Sequence, residues 1–100
     1  MVAAAARRYA ANVDANQTEI VEALRQAGAT VQHLHAVGGG VPDILVGYNG
    51  ENWLLEIKNP KAKGRLNDRQ VEWFENWNGH ACVVRSVEEA LSEIMATDAK

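Results

Sequence analysis

Asp43, Glu56 and Lys58 are the residues of this 100-residue chain whose types and spacing can act together chemically. Between them lies Asn49-Gly50, flanked by apolar, β-prone runs. Asn-Gly in that setting predicts a two-residue type I′ hairpin loop, because both residues tolerate positive φ. With the loop at 49 and 50, Tyr48 opposes Glu51. The same register sets Asp43 against Glu56 on one sheet face, with Cβ atoms about 4.5–5.5 Å apart. Like charges so opposed destabilise a hairpin unless a cation sits between them. Lys58, two residues beyond Glu56, projects from that face too. The three together describe a site for a hard divalent cation with an ammonium beside it. Asp43 and Glu56 would supply two oxygen ligands and the Ile57 carbonyl a third, in keeping with the few protein ligands Mg²⁺ takes. Such a metal acidifies a water and neutralises charge on a phosphoryl group, the logic of metal-assisted phosphodiester hydrolysis. Lys58 would orient that water or stabilise the transition state. The plainer alternative is an exposed hairpin end whose three charges form a weak salt bridge. Register, spacing and Lys58 together favour the site.

The charge distribution points the same way. The net charge is −3, against a wholesale nucleic-acid coat. Yet Lys58, Lys61, Lys63, Arg65 and Arg69 stand against a single acid, Asp68, giving that segment +4 and leaving the rest of the chain −7. A basic segment that begins at the carboxylate pair suits contact with a phosphate backbone through Lys61, Lys63 and Arg65.

These residues must be held by the elements around them. Asn16-Gln17-Thr18-Glu19 has the form of a capping box and predicts a helix ending at Gly28, with Ile20, Ala23, Leu24 and Ala27 as its buried stripe. Thr30–His35, Asp43–Tyr48 and Asn52–Lys58 read as strands. Asn67-Asp68-Arg69-Gln70 starts a second helix that ends near Asn78-Gly79. Ala81–Val84 is a short strand, and Ser86-Val87-Glu88-Glu89 opens a last helix running to about Met95. The expected class is α/β in the order α-β-β-β-α-β-α, a mixed four-stranded sheet flanked by helices. Residues 1–15 are expected to form a mobile arm, 16–96 one domain and 97–100 a frayed tail. In the hairpin, Ile44, Val46, Tyr48, Trp53, Leu55 and Ile57 point to one face, which should be buried. Asp43, Leu45, Gly47, Leu54, Glu56 and Lys58 point to the other, apolar near the turn and charged at the far end.

Gly-Gly-Val-Pro-Asp-Ile (39–44) followed by Leu-Leu-Glu-Ile-Lys (54–58) resembles the PD-(D/E)XK nuclease signature, and within it the VRR-NUC and Holliday-junction-resolvase-like nucleases. The similarity runs from about Asn16 to Val84 and includes Leu66 and Gln70. It implies a restriction-endonuclease-like core, dependence on Mg²⁺ or Mn²⁺, and cleavage of DNA. Stand-alone relatives of this type are often homodimers acting on branched DNA. Many relatives carry a further Glu on the first helix, aimed at the metal. Here helical periodicity puts Gln17 on the stripe with Ile20 and Leu24, while Glu19 and Glu22 fall elsewhere. Gln17 is therefore the expected cleft residue, and a one-metal site the preferred picture. A catalytically inactive nucleic-acid-binding or assembly module with this fold is the alternative.

Other features are weaker. Gly38-Gly39-Gly40 lacks the Lys-Ser/Thr of a phosphate-binding loop, and Gly39 and Gly40 are read as a place for close backbone approach to DNA beside Asp43. His33, His35 and His80 with one Cys do not make a zinc site. Lone Cys82 excludes an internal disulfide, suggests a cytoplasmic setting and reads as a small core residue. No apolar run approaches the ~20 residues that span a bilayer, and Arg7-Arg8 follow the apolar start instead of preceding it as in a signal peptide. Trp73, Phe74 and Trp77 exceed the aromatic area one small helix face needs. They serve either the core or a homodimer interface.

Overall fold

The computed structural model describes residues 15–59 and 65–96. Most of the expected N-terminal arm, the tail 97–100, Lys61 and Lys63 lie outside the described residues. Helix α1 occupies residues 15–26. Strands β1 (Thr30–His33), β2 (Ile44–Tyr48) and β3 (Glu51–Ile57) follow, then α2 (Asp68–Asn76), β4 (Ala81–Val84) and α3 (Val87–Met95). The four strands form one sheet in the order β1-β2-β3-β4. β1-β2 and β2-β3 are antiparallel, whereas β3-β4 is parallel, with α2 as its crossover.

The hairpin turns on Asn49 (φ 54°) and Gly50 (φ 81°), both in the left-handed region that a type I′ loop demands. Tyr48 opposes Glu51 and Ile44 opposes Leu55, the register expected from the turn. Ile44, Val46, Trp53 and Leu55 are buried on one face, packed by Ile20, Val21 and Leu24 of α1 and by Ala90 and Ile94 of α3. Val21 joins this core, whereas Ala23 and Ala27 are half-buried, so the buried stripe of α1 lies one residue around from the expected one.

Helix starts differ in how well local sequence foretells them. Asn67 caps α2 with both bonds of a capping box, to and from Gln70. Ser86 caps α3 by accepting from the Glu89 N–H, while the Glu89 carboxylate accepts from the Arg85 N–H. Asn16, by contrast, lies within α1, because residue 15 is already helical. The capping box expected at Asn16 is corrected accordingly, and its amide serves elsewhere. α2 lies on the sheet face opposite α1 and α3 and buries none of its residues fully. Of its aromatic side chains Trp73 and Phe74 are half-buried, and Trp77, just past its end, is exposed. Among the described residues no helix is long and apolar enough to cross a membrane.

Candidate active site

Asp43 stands just outside the β2 ladder, and the chain around it is pinned. Pro42, fully buried, fixes the preceding backbone. The Asp43 carbonyl accepts from the Leu34 N–H at 2.8 Å. Its carboxylate reaches across the hairpin, where Oδ2 accepts from the Ile57 N–H at 2.7 Å. That bond replaces the next rung of the β2-β3 ladder and puts the carboxylate beside the Glu56–Ile57 peptide.

Glu56 is buried at 4% exposure, the one charged residue among the buried ones described. Such a carboxylate needs partners, and two converge on Oε2: Gln70 Nε2 at 2.8 Å and Lys58 Nζ at 3.3 Å. Lys58 also donates to Gln70 Oε1 at 3.3 Å, which closes a triangle of carboxylate, ammonium and amide. Burial pushes the Glu56 pKa above its ordinary 4.5, and the charge of Asp43 pushes it further. Lys58 and the Gln70 hydrogen bond pull it down without cancelling the rise. A buried carboxylate therefore lies close to a half-buried one, and added positive charge there would be stabilising.

Two residues that sequence patterns did not single out for the site hold it in shape. Gln70 is locked by its capping role: its Oε1 accepts from the Asn67 N–H at 3.0 Å while its amide serves Glu56. A Gln at the third position of a helix is the available signal, but it announces the cap and not the second use. From α1, Asn16 Nδ2 donates to the carbonyls of Lys58 (3.0 Å) and Arg85 (3.2 Å), tying the end of β3 to the end of β4. The Lys58 N–H meanwhile donates to Val84 O, so the backbone bearing the ammonium is fixed on both sides.

Asp43, Glu56, Ile57 and Lys58 are thus brought together as expected. Gln17, expected in the cleft, lies in the first turn of α1. Its amide pairs with His33 Nδ1 at 3.1 Å. His33 pairs with Ile44, whose side chain lies on the core face, opposite to Glu56. His33 and His35 lie with ring centroids 6.1 Å apart. Gly40 is explained within the protein: a Cβ there would fall 2.5 Å from the Arg69 carbonyl oxygen, so the loop before Asp43 lies directly against the start of α2. Gly39 lies beside Arg69 and Trp73 along a shallow cavity of about 430 Å³. Arg65 is exposed.

The donor set fits a hard cation with few protein ligands. Two carboxylates and a backbone carbonyl are all oxygen, and among the described residues no cluster of three or more His, Cys, Asp and Glu side chains offers a richer site.

No family model matches the chain. A 52-residue stretch, 52% of the chain, is 40% identical to part of ABC transporter G family member 48 of Oryza sativa subsp. japonica, of which it spans 4%. A solved VRR_NUC domain aligns with 84% of this chain and 92% of its own, with a TM-score of 0.62 and 22% identity. The mixed sheet, the flanking helices and this alignment agree: the chain has the restriction-endonuclease-like fold of a VRR-NUC domain.

Proposed function

We propose that the protein is a metal-dependent endonuclease that hydrolyses DNA phosphodiester bonds, with selectivity for branched or junction DNA. The observation that carries this reading is the buried Glu56, paired with Lys58 and repelled by Asp43 at the hairpin end. A merely structural salt bridge has no need of a second carboxylate that opposes it. Asp43, Glu56 and the Ile57 carbonyl would hold Mg²⁺ or Mn²⁺. Bound there, the cation would lower the pKa of a water and neutralise phosphoryl charge. Lys58, whose Nζ already touches both Glu56 and Gln70, would hold the attacking water or the scissile phosphate through its remaining donor capacity. Gln70 keeps Lys58 and Glu56 in register and is a positioning residue. Lys61, Lys63 and Arg65 would follow the phosphate backbone next to the site, with the Gly39-Gly40 backbone near the strand. Resolving a branched structure takes two symmetric cuts, and a two-fold pair of identical subunits supplies them, so we read the active form as a homodimer.

The alternative, an inactive nucleic-acid-binding or assembly module, draws support from one observation. The α1 position expected in the cleft holds an uncharged Gln17, whose amide is paired with His33. Incubating supercoiled plasmid with the protein, with and without Mg²⁺ or Mn²⁺, separates the two. Metal-dependent nicking that is lost in Asp43→Asn supports the nuclease. DNA binding without nicking under any divalent cation supports the module. A four-way junction compared with linear duplex then reports the selectivity.

A further inference from the structure

The second face of the sheet carries a cavity that the carboxylate site does not use. It measures about 540 Å³ and lies at the turn end of the hairpin, with Leu45, Leu54 and Trp77 as its apolar lining and Asn52 and the paired Glu51 and His80 as its polar lining. Leu45 and Leu54 are register partners on the same face as Glu56, and Leu54 precedes Glu56 by two residues, or about 6.6 Å along β3. Trp77, just past the end of α2, is 47% exposed, a large apolar area for a soluble chain to leave in water. Yet it is held firmly in place. One side stacks on Trp73, with centroids 4.8 Å apart and planes 16° from parallel. Its Nε1 lies over Gly79, where a Cβ would come within 2.9 Å. An indole that is supported, oriented and left half-exposed beside an apolar cavity is a preorganised stacking surface.

We infer that this cavity receives an unpaired nucleobase of the DNA strand whose phosphodiester lies at Glu56. This rests on the nuclease reading and deepens it. The base would stack on Trp77 and lie over Leu45 and Leu54, with the exposed Asn52 amide able to donate to or accept from its edge. Size and position select this occupant. A cavity of this volume suits a small ring system. Its continuity with Glu56 along one face places base and phosphodiester on neighbouring or nearly neighbouring nucleotides. A base inside a duplex is stacked on its neighbours and cannot enter, so the cavity selects DNA with unpaired nucleotides at the cut, such as a flap or branch point.

The test is a fluorescence-anisotropy titration, in EDTA and again in Ca²⁺, of a flapped duplex and a fully paired duplex of equal length. Wild-type protein should prefer the flap. Trp77→Ala should lose on the order of ten-fold in flap affinity while duplex affinity is kept. Gly79→Ala, which displaces the indole without removing it, should do the same in milder form, and Trp77→Phe should keep most of the preference. A 2-aminopurine placed in the flap should be quenched by the unaltered protein, a readout that does not depend on any variant folding. Equal binding of flap and duplex by wild type, or a preference unchanged in Trp77→Ala, overturns the inference and leaves the nuclease reading standing. So does Trp77→Ala becoming monomeric while flap preference persists, which would assign the face to a second copy of the chain. Failure to bind either DNA overturns the nuclease reading along with it.

Discussion

At the scale of single residues, Glu56 is the most consequential side chain. Its folded-state pKa lies above the ordinary 4.5, first because it is buried and then because Asp43 stands near. Over the interval between the two values the folded chain holds a proton that the unfolded chain has lost. The stability this contributes is fully present below about 4.5 and is lost as pH rises through the folded pKa. Glu56→Gln should therefore melt above wild type at pH 7 and show no such gain at pH 4, as read by circular dichroism. Cleavage should fail on acidification at a pH higher than an exposed carboxylate would give, because a protonated Glu56 is a poor metal ligand. Asp43→Asn keeps an acceptor for the Ile57 N–H but removes the repelling charge. Its expected signature is loss of metal-dependent nicking with an unchanged or raised melting temperature. A variant that nicks plasmid at the wild-type rate would disprove the assignment. Cys82 gives an independent check on packing. Burial and the nearby Glu93 push its thiol up to about 12, so it should resist iodoacetamide at neutral pH until urea exposes it.

At the scale of elements, α2 is attached to the sheet largely by its first turn. It has no fully buried residue, and the described hydrogen bonds from it to the sheet run through Gln70. Asn67→Ala removes one arm of the cap and should cost about 1 kcal/mol in urea unfolding. Gln70→Ala removes the other arm and also strips the buried Glu56 of a donor. Its cost should be larger, roughly 1–3 kcal/mol for the exposed need of the carboxylate alone. The two variants should also part in function. Gln70→Ala should impair nicking at saturating metal, whereas Asn67→Ala should leave it largely intact if the amide of Gln70 stays on Glu56. Equal effects of both on nicking would mean that Gln70 matters only as a helix cap.

At the scale of the whole molecule, a chain with a net charge of −3 that acts as the proposed nuclease would have to contact DNA through local patches. Replacing Lys61, Lys63 and Arg65 together by Ala should weaken binding to all sequences alike and flatten the salt dependence, by up to roughly 2.7 in log–log slope if each neutralises one phosphate. An unchanged slope would move the binding surface to another part of the chain. Light scattering should give a dimer, twice the 10.9 kDa of one chain. A monomer at micromolar concentration, with and without branched DNA, would leave a nicking activity in place of paired cuts.

Local sequence determined the hairpin, its register and the meeting of Asp43 with Glu56 and Lys58. An Asn-Gly turn and strict alternation settle register within a few residues of the loop, and Asn49 and Gly50 adopt the required positive φ. The caps at Asn67 and Ser86 were legible for the same reason, since a capping bond spans three residues. What the tertiary structure alone decided involves partners distant in sequence. Asn16 sits in a motif that looks like a cap, but the helix extends past it, and its amide serves carbonyls 42 and 69 residues away. Gln17 has helical spacing that allows a cleft position, and only the packing of α1 beside β1 pairs its amide with His33, 16 residues away. Gln70 meets Glu56 only because the β3-α2-β4 crossover returns along the second face. The same return leaves Trp77 beside Leu54 and outside the core. An amphipathic pattern specifies that a helix has an apolar face, but what that face meets depends on how the layers stack.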